Sequence, residues 1–329
     1  MKSKPLISIV CPFFNEGPGV LAFFTALTNE MHKLLDYDFE VVCVDDGSTD
    51  GTLKALIGIS ADDSRFRVIE LSRNFGKEAA LSAGLDAATG NLIIPMDADL
   101  QDPPSLIHEL VKAWERSGAD VVLAKRSDRT TDSAIKRLSA SVFYNTYNRL
   151  SEMKIPNNVG DCRLMTRQVV EALKLMPEKQ RFMKGLFTWV GFKAVTIEYQ
   201  RQKRVSGKTK FSGWKLWNFA LEGITSFSSL PLRVWTYVGV IGALCTFSYG
   251  LYIVFRTLAS GTDLPGYASL LVSILFFGSM QLIGLGVLGE YIGRIYMESK
   301  RRPTYLIRRT YVTGKVASDP TDKRTDGGQ

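Results

Sequence analysis

The stretch Asn91-Leu-Ile-Ile-Pro-Met-Asp97-Ala-Asp99-Leu-Gln101-Asp102 decides the fold. A short apolar run stops abruptly in three carboxylates and an amide, with Pro103 and Pro104 directly behind. A buried strand that ends in Asp-X-Asp brings two carboxylates to the rim of a sheet. There they can hold a hard divalent cation through oxygen ligands and leave coordination positions open for phosphate. Taken alone, the pattern fits a solvated acidic turn at least as well. The neighbouring segments separate the two readings.

Upstream, Leu6–Pro12 reads as a buried strand, Phe13–Gly19 as a turn and Val20–Leu35 as a helix. Phe39–Val44 is a second strand, running into Asp45-Asp-Gly-Ser-Thr-Asp-Gly51 and another helix. Arg67–Leu71 is a third strand, Lys77–Ala88 an Ala-rich helix stopped by Gly90, and Leu92–Met96 a fourth strand. Downstream, Ser105–Ser117 is helical behind its two prolines, and Val121–Ala124 is a fifth strand. Short strands alternating with helices of about ten to fifteen residues imply an α/β domain with a mostly parallel sheet covered on both faces. In such sheets ligands bind outside the carboxyl ends of the strands. Pro12–Glu16, Asp45–Asp50 and Asp97–Gln101 all fall at those ends, so three polar clusters converge on one rim. A solvated turn does not predict that convergence.

The rest of the chain changes character. Asp132–Leu150 has the spacing of an amphipathic helix, Asn157–Thr166 is a loop entering a strand, Arg167–Leu175 begins a helix, and residues 193–200 form a last strand. Arg201–Phe211 is basic and flexible, and Trp214–Phe227 has the aromatic content of an interfacial helix. Leu232–Phe255 is 24 residues with Arg233 as its only charge, and Tyr267–Ile292 is 26 residues with Glu290 as its only charge. Each exceeds the roughly 20 residues needed to cross a bilayer. Lys208, Lys210 and Lys215 flank one side, and Arg294, Lys300, Arg301, Arg302, Arg308 and Arg309 the other. The positive-inside rule then puts both termini and the sheet domain in the cytoplasm. The expected organisation is a catalytic domain over 1–200, a basic loop and interfacial helix over 201–230, two spans within 231–293, and a basic tail over 294–329 whose last dozen residues are disordered.

Charge agrees with that division. The chain of 329 residues carries a formal +8, but residues 1–200 hold 24 Lys and Arg against 26 Asp and Glu, and residues 201–329 hold 17 against 7. A near-neutral front and a basic rear argue against a general nucleic-acid binder and suit a segment facing anionic lipid. Cys11, Cys43, Cys162 and Cys245 lack metal-like spacing and read as reduced thiols, consistent with cytosol. The N-terminal stretch has no signal-peptide apolar region.

The chemistry follows from these parts. A divalent ion held by Asp99, with Asp97 and Gln101, would bridge a diphosphate and neutralise a leaving nucleotide. Mg²⁺ or Mn²⁺ suits oxygen ligands; Zn²⁺ does not, for lack of Cys or His. Arg204, Lys208 and Lys210 can draw an anionic lipid head to the rim, although plain attraction to acidic lipid explains each of them as well. A phosphate acceptor, with a second pKa of about 6, is already ionised at cytoplasmic pH, so no strong general base is required.

At this point the sequence resembles the family 2 glycosyltransferases of the GT-A fold, specifically the polyprenyl-phosphate hexosyltransferases. The resemblance covers about residues 5–310. It rests on Pro12-Phe-Phe-Asn-Glu16, Val44-Asp-Asp-Gly-Ser-Thr-Asp50, Arg73-Asn-Phe-Gly-Lys77, Met96-Asp-Ala-Asp-Leu-Gln-Asp-Pro103 and Arg204-Val-Ser-Gly-Lys-Thr-Lys-Phe211. It implies a nucleotide-sugar site at Pro12, Phe14, Glu16, Val44, Asp46 and the neighbouring Asp45. Asp97, Ala98, Asp99 and Gln101 are implied at the metal and diphosphate. Arg126, Arg137, Arg204 and Lys210 are implied at the acceptor phosphate. Asp161 is implied at the reacting centre, as a base or as an orienting group for the acceptor's Arg partners; the ionised acceptor favours orientation, and a loop-capping Asp is the bland alternative. The implied reaction is inverting transfer of a hexose, glucose from UDP-glucose, to undecaprenyl phosphate. GDP-mannose or another UDP-sugar would serve the same machinery. A processive polysaccharide synthase fits less well, because Gln-X-X-Arg-Trp is absent and two spans are few for an export channel. A non-catalytic nucleotide-sugar-binding scaffold would not need the set Asp97, Asp99, Gln101, Arg204 and Lys210. Glycines in the spans (Gly239, Gly242, Gly278, Gly284, Gly286, Gly289 and Gly293) offer close helix contact for self-association, and the bacterial relatives suggest a tetramer.

Overall fold

The computed structural model describes residues 4–127, 159–176, 178, 183–199, 230–260 and 266–317. Its centre is one nine-stranded sheet in the order β7-β5-β6-β4-β1-β2-β3-β8-β9. The strands are β1 (Leu6–Phe13), β2 (Asp38–Asp45), β3 (Phe66–Leu71), β4 (Leu92–Pro95), β5 (Val121–Arg126), β6 (Val159–Thr166), β7 (Ala194–Tyr199), β8 (Ile307–Val312) and β9 (Lys315–Val316). β1 pairs in parallel with β2 and β4, β2 with β3, and β5 with β7. β6 runs antiparallel to both β4 and β5, and β8 antiparallel to β3. The sheet is therefore mostly parallel, with β6 and β8 reversed.

The crossover helices are α1 (Val20–Met31), α2 (Thr52–Asp62), α3 (Lys77–Ala87) and α4 (Leu106–Ser117), followed by α5 (Arg167–Lys174) and the short α6 (Met183–Trp189). Side-chain alternation along β1 explains why both faces are covered. Ile7, Ile9, Cys11 and Phe13 join a core with Phe23 and Leu27 of α1, Leu56 of α2 and Leu106 and Leu110 of α4. Val10 points to the opposite face, into a second core with Leu81 and Leu85 of α3 and Val169 and Leu173 of α5. Each large apolar side chain so buried contributes roughly 1.5–3 kcal/mol. α3 lies close against β1 because position 84 is glycine: a Cβ there would stand 2.3 Å from Val10 Cγ1. Cys11, Cys43 and Cys162 are buried free thiols, as expected of core cysteines, and burial pushes the Cys43 thiol up to about 12.

The strands and helices expected between residues 6 and 124 are present, with ends differing by a few residues; α1, for instance, stops at Met31 rather than Leu35. The C-terminal segment differs more. Residues 294–329 read as a basic tail, yet β8 and β9 lie within them and extend the sheet beyond β3. Ser72 N–H donates to Leu306 O at 2.9 Å, and Tyr305 Oη donates to Asp86 at 2.7 Å, so the return to the sheet is anchored at its start.

Two long helices precede that return, α7 (Leu230–Ser260, 31 residues) and α8 (Tyr267–Ser299, 33 residues). Many of their described apolar side chains are exposed, among them Ile241, Leu244, Phe247, Phe255, Leu282 and Ile283. Among the described residues no helix is long and apolar enough to cross a membrane. The amphipathic stretch 132–150, the basic loop 201–211 and the aromatic stretch 214–227 lie outside the described residues.

Candidate active site

Three parallel strands deliver their carboxyl ends to one rim: β1 at Phe13, β2 at Asp45 and β4 at Pro95. β6 is reversed, so its first residues, Val159–Asp161, arrive at that same rim beside the end of β5; Val159 stands opposite Lys125. Antiparallel β6 thus brings Asp161 to the Asp-X-Asp turn although 64 positions separate Asp161 from Asp97.

The first two polar clusters are stitched together. Asn15, at φ 54°, donates its N–H to Ser48 Oγ at 3.0 Å, and its side-chain oxygen accepts from Thr49 N–H at 2.9 Å. Glu16 N–H donates to Thr52 Oγ1 at 3.0 Å, and Gly17 N–H to Asp50 Oδ2 at 3.1 Å. Phe14 is exposed and Glu16 half-buried beside this seam, with Pro12 just below it in β1. Val44 is different. Its side chain is buried with Ile69, Leu71, Ala80 and Ala83, so any part it takes at the rim belongs to its main chain.

Asp45 and Asp46 are both buried but differently satisfied. Asp45 Oδ2 accepts from Ser48 N–H at 3.1 Å, and Oδ1 has no hydrogen-bond partner among the described residues. Burial raises its carboxyl above the ordinary range, the Ser48 contacts oppose this, and Glu70 and Asp50 add to the rise. Asp46 engages both oxygens, accepting from Phe75 N–H at 2.7 Å and Gly76 N–H at 2.9 Å. Burial again moves the carboxyl up, against those two bonds. Asp46 therefore clamps the loop 73–76. Gly47 makes the approach possible: at φ 68°, a Cβ on it would come within 2.6 Å of the Arg73 carbonyl carbon.

That loop ends at Lys77, the first residue of α3. Lys77 Nζ lies 2.8 Å from Asp97 and 2.5 Å from Asp161, one ammonium between two carboxylates. Partial desolvation at the rim works against the charge of this half-exposed lysine, but Asp161 and Asp97 outweigh it and its pKa is raised. Burial raises the Asp97 carboxyl, Lys77 pulls it back, and the nearby Asp161 and Asp99 add to the rise. Past Asp97, Ala98 is buried, Asp99 Oδ1 accepts from Gln101 N–H at 3.0 Å, and Leu100 adopts φ 56° to close the turn over the buried Gln101.

A second chain of polar contacts starts at Asp102. Tyr199 Oη donates to Asp102 Oδ1 at 2.5 Å, and Arg126 Nε donates to Tyr199 Oη at 3.4 Å. Burial works against the Arg126 charge, but Tyr199, Asp102 and Asp161 raise its pKa. Gly160 adjoins this chain: a Cβ there would stand in ordinary contact with Arg126 Nη2 at 3.6 Å and Tyr199 Oη at 3.7 Å. Arg163, wholly buried beneath Asp161, donates to Gly160 O at 3.0 Å and Asp161 O at 3.3 Å and stacks over Phe187 at 3.9 Å. Burial lowers its pKa to about 10.

The structure thus gathers Asp97, Asp99, Gln101, Asp161 and Arg126 at the rim, beside the seam formed by residues 12–17 and 45–52. Arg137, Arg204 and Lys210 lie outside the described residues. Lys77 had no role in the sequence reading, although it closes the motif Arg73-Asn-Phe-Gly-Lys77; a lysine after a glycine at a helix start was the available signal. Tyr199 gave none. Among the described residues no group of three or more His, Cys, Asp or Glu side chains could hold a metal. Asp97 and Asp99 offer two carboxylates, and Gln101 an amide oxygen, on one tight turn. That donor chemistry fits a hard divalent ion sharing its coordination with phosphate oxygens.

Comparison with known proteins decides the family. Residues 8–174 match the family described as Glycosyl transferase family 2. The chain is a family 2 glycosyltransferase. Residues 230–295 match a second family, the GtrB C-terminal hairpin, which corresponds to α7 and α8. The chain is 53% identical over 302 residues to the bactoprenol glucosyl transferase of Shigella phage SfV, covering 92% of this chain and 98% of that one. It is 52% identical over 303 residues to a prophage bactoprenol glucosyl transferase homolog of Escherichia coli K12, covering 92% and 98%. A putative glycosyltransferase, CsbB, of Bacillus subtilis is 41% identical over 310 residues, covering 94% and 93%. As a family 2 glycosyltransferase with the GT-A sheet, the chain is an enzyme, and the rim described above is its candidate active site.

Proposed function

We propose that this glycosyltransferase moves glucose from UDP-glucose to undecaprenyl phosphate, with inversion, giving a polyprenyl-phosphate sugar. One observation carries the choice of sugar and acceptor: the likeness to bactoprenol glucosyl transferases runs over 98% of their length, hairpin included.

The residues divide the work. The seam of Pro12, Phe14 and Glu16 with Asp45 receives the nucleoside, and the Asp45 oxygen that has no hydrogen-bond partner among the described residues serves as an acceptor for an N–H of the base. Asp46 and the main chain at Val44 hold the floor of that site. Asp97, Asp99 and Gln101 would hold Mg²⁺ or Mn²⁺, which when bound supplies neutralisation of the leaving diphosphate. Arg126 meets the acceptor phosphate, joined by Arg137, Arg204 and Lys210. The acceptor oxygen is ionised at neutral pH, so the barrier lies in bringing two anions together. Asp161 orients the groups that hold that phosphate rather than removing a proton.

The acceptor's hydrocarbon tail requires a bilayer, and α7 and α8 are read as its two spans. That reading rests on the full sequence, in which 232–255 and 267–292 carry one charge each, and not on the described residues, among which no helix is long and apolar enough to cross. The exposed apolar side chains of α7 and α8 suit lipid rather than water. Both termini and the sheet then lie on the cytoplasmic side of the inner membrane, and the glycines of the spans favour a homo-oligomer, in bacterial fashion a tetramer.

The test is incubation of the purified chain with labelled UDP-glucose, undecaprenyl phosphate and Mg²⁺ or Mn²⁺, then lipid extraction. Label in the lipid phase, abolished by EDTA and by Asp99→Ala, is the expected result. Label from GDP-mannose alone would correct the donor, and no labelled lipid with any nucleotide sugar would overturn the reading.

A further inference from the structure

Lys77 links three strand ends that the sequence keeps far apart. Its backbone position is set from β2: Asp46 holds Phe75 N–H and Gly76 N–H, and the missing Cβ of Gly47 lets residues 73 and 74 pack against the β2 turn. Gly76, at φ 99°, turns the chain into α3 so that Lys77 leads the helix. From there its ammonium reaches Asp97 after β4 at 2.8 Å and Asp161 in β6 at 2.5 Å. Without an intervening cation these two carboxylates would repel each other in a partly desolvated rim.

We propose that Lys77 is a positioning residue of the transfer reaction: its ammonium fixes Asp161 against the Asp97 turn, and the Asp46-clamped loop sets its reach. The inference rests on the reading that Asp97 and Asp161 flank the reacting centre. It assigns Asp46 a further task, because a carboxylate beside the nucleoside seam then governs where the lysine stands. A misplacement of about 1 Å at a reacting centre can cost about 100-fold in rate, so geometry here is rate. The charge of Lys77 also opposes binding of another cation at Asp97, which makes cation affinity a direct report of its presence.

Two variants separate charge from placement. Lys77→Met removes the ammonium; kcat should fall at least about 100-fold while KM for the nucleotide sugar stays within about threefold. Mn²⁺ binding to the donor-free protein, followed by electron paramagnetic resonance, should tighten at least about tenfold in that variant. Lys77→Arg keeps the charge and lengthens the reach; kcat should fall about tenfold with Mn²⁺ affinity within about threefold of wild type. If Lys77→Met does not fold, Lys77→Arg still decides, because wild-type kcat in it overturns the proposal. Unchanged kcat or unchanged Mn²⁺ affinity in a folded Lys77→Met overturns it too. The Mn²⁺ titration needs neither donor nor acceptor. A wild-type chain that transfers no sugar therefore defeats the proposed function, while the titration still judges Lys77.

Discussion

Asp45 is a residue held in a costly state. It is 1% exposed, one oxygen lacks a hydrogen-bond partner among the described residues, and Asp50 and Glu70 add negative potential. Burial raises its folded-state pKa, so the sign of its effect on stability is defined. Below the ordinary carboxylate range, about pH 4, Asp45 is protonated in folded and unfolded chains alike and contributes nothing adverse. As pH rises the unfolded chain ionises first, and folding stability declines until the folded-state carboxyl has ionised as well. Asn in its place keeps an oxygen for Ser48 N–H and never ionises. Asp45→Asn should therefore melt higher than wild type at pH 7 in detergent, with the gap closing as pH is lowered toward about 4. The same variant should bind the nucleotide sugar more weakly, because the proposed nucleoside site uses that oxygen as an acceptor. A variant that melts lower at pH 7 would mean that the ionised carboxylate is satisfied by a group in the folded chain.

At the scale of elements, β7 acts on the site without carrying a reacting group. Tyr199 ends β7 opposite Arg126 of β5, and its hydroxyl sits between Arg126 and Asp102. Tyr199→Phe removes a donor from a buried carboxylate, a loss of about 1–3 kcal/mol in stability. It also frees the Arg126 guanidinium from its tether. Steady-state kinetics should show KM for the polyprenyl phosphate rising about tenfold with KM for the nucleotide sugar unchanged, a change of about 1.4 kcal/mol in acceptor binding. Equal changes in both constants would show that Tyr199 supports the whole rim rather than one arginine. This contact also marks where sequence reading stops. The alternation of apolar runs with helices made the parallel strands legible, and with them the rim positions of Asp45, Asp97 and Asp99. The reversal of β6 left no such trace, because an antiparallel strand between parallel neighbours has the same apolar pattern. Asp161 was therefore placed by resemblance alone, and Lys77 and Tyr199, whose importance lies in contacts across 84 and 97 positions, were not placed at all.

Across the whole molecule, the chain closes on itself after the hairpin. β8 has the sequence Ile307-Arg-Arg-Thr-Tyr-Val312, with only Tyr311 buried, and reads as a basic tail because arginines occupy two of its four exposed positions. Charged side chains on a strand that borders solvent are how sheets avoid pairing with strangers. What holds the strand is Glu70 of β3, itself buried: Tyr311 Oη donates to one of its oxygens at 2.8 Å and Arg308 to the other at 3.1 Å. This arrangement ties the catalytic sheet to the end of α8. Two changes of graded severity test it. Tyr311→Phe leaves β8 paired but takes one donor from a buried carboxylate, and should cost about 1–3 kcal/mol in stability with transfer activity preserved at low temperature. Truncation after Arg302 removes β8 and β9, uncovers the β3 edge and strands Glu70. It should lower the melting point further and cause aggregation on warming, detected by light scattering. If the truncated chain melts as the intact one does, β8 merely rests on the sheet, and the coupling between hairpin and catalytic domain must be sought before residue 230 instead.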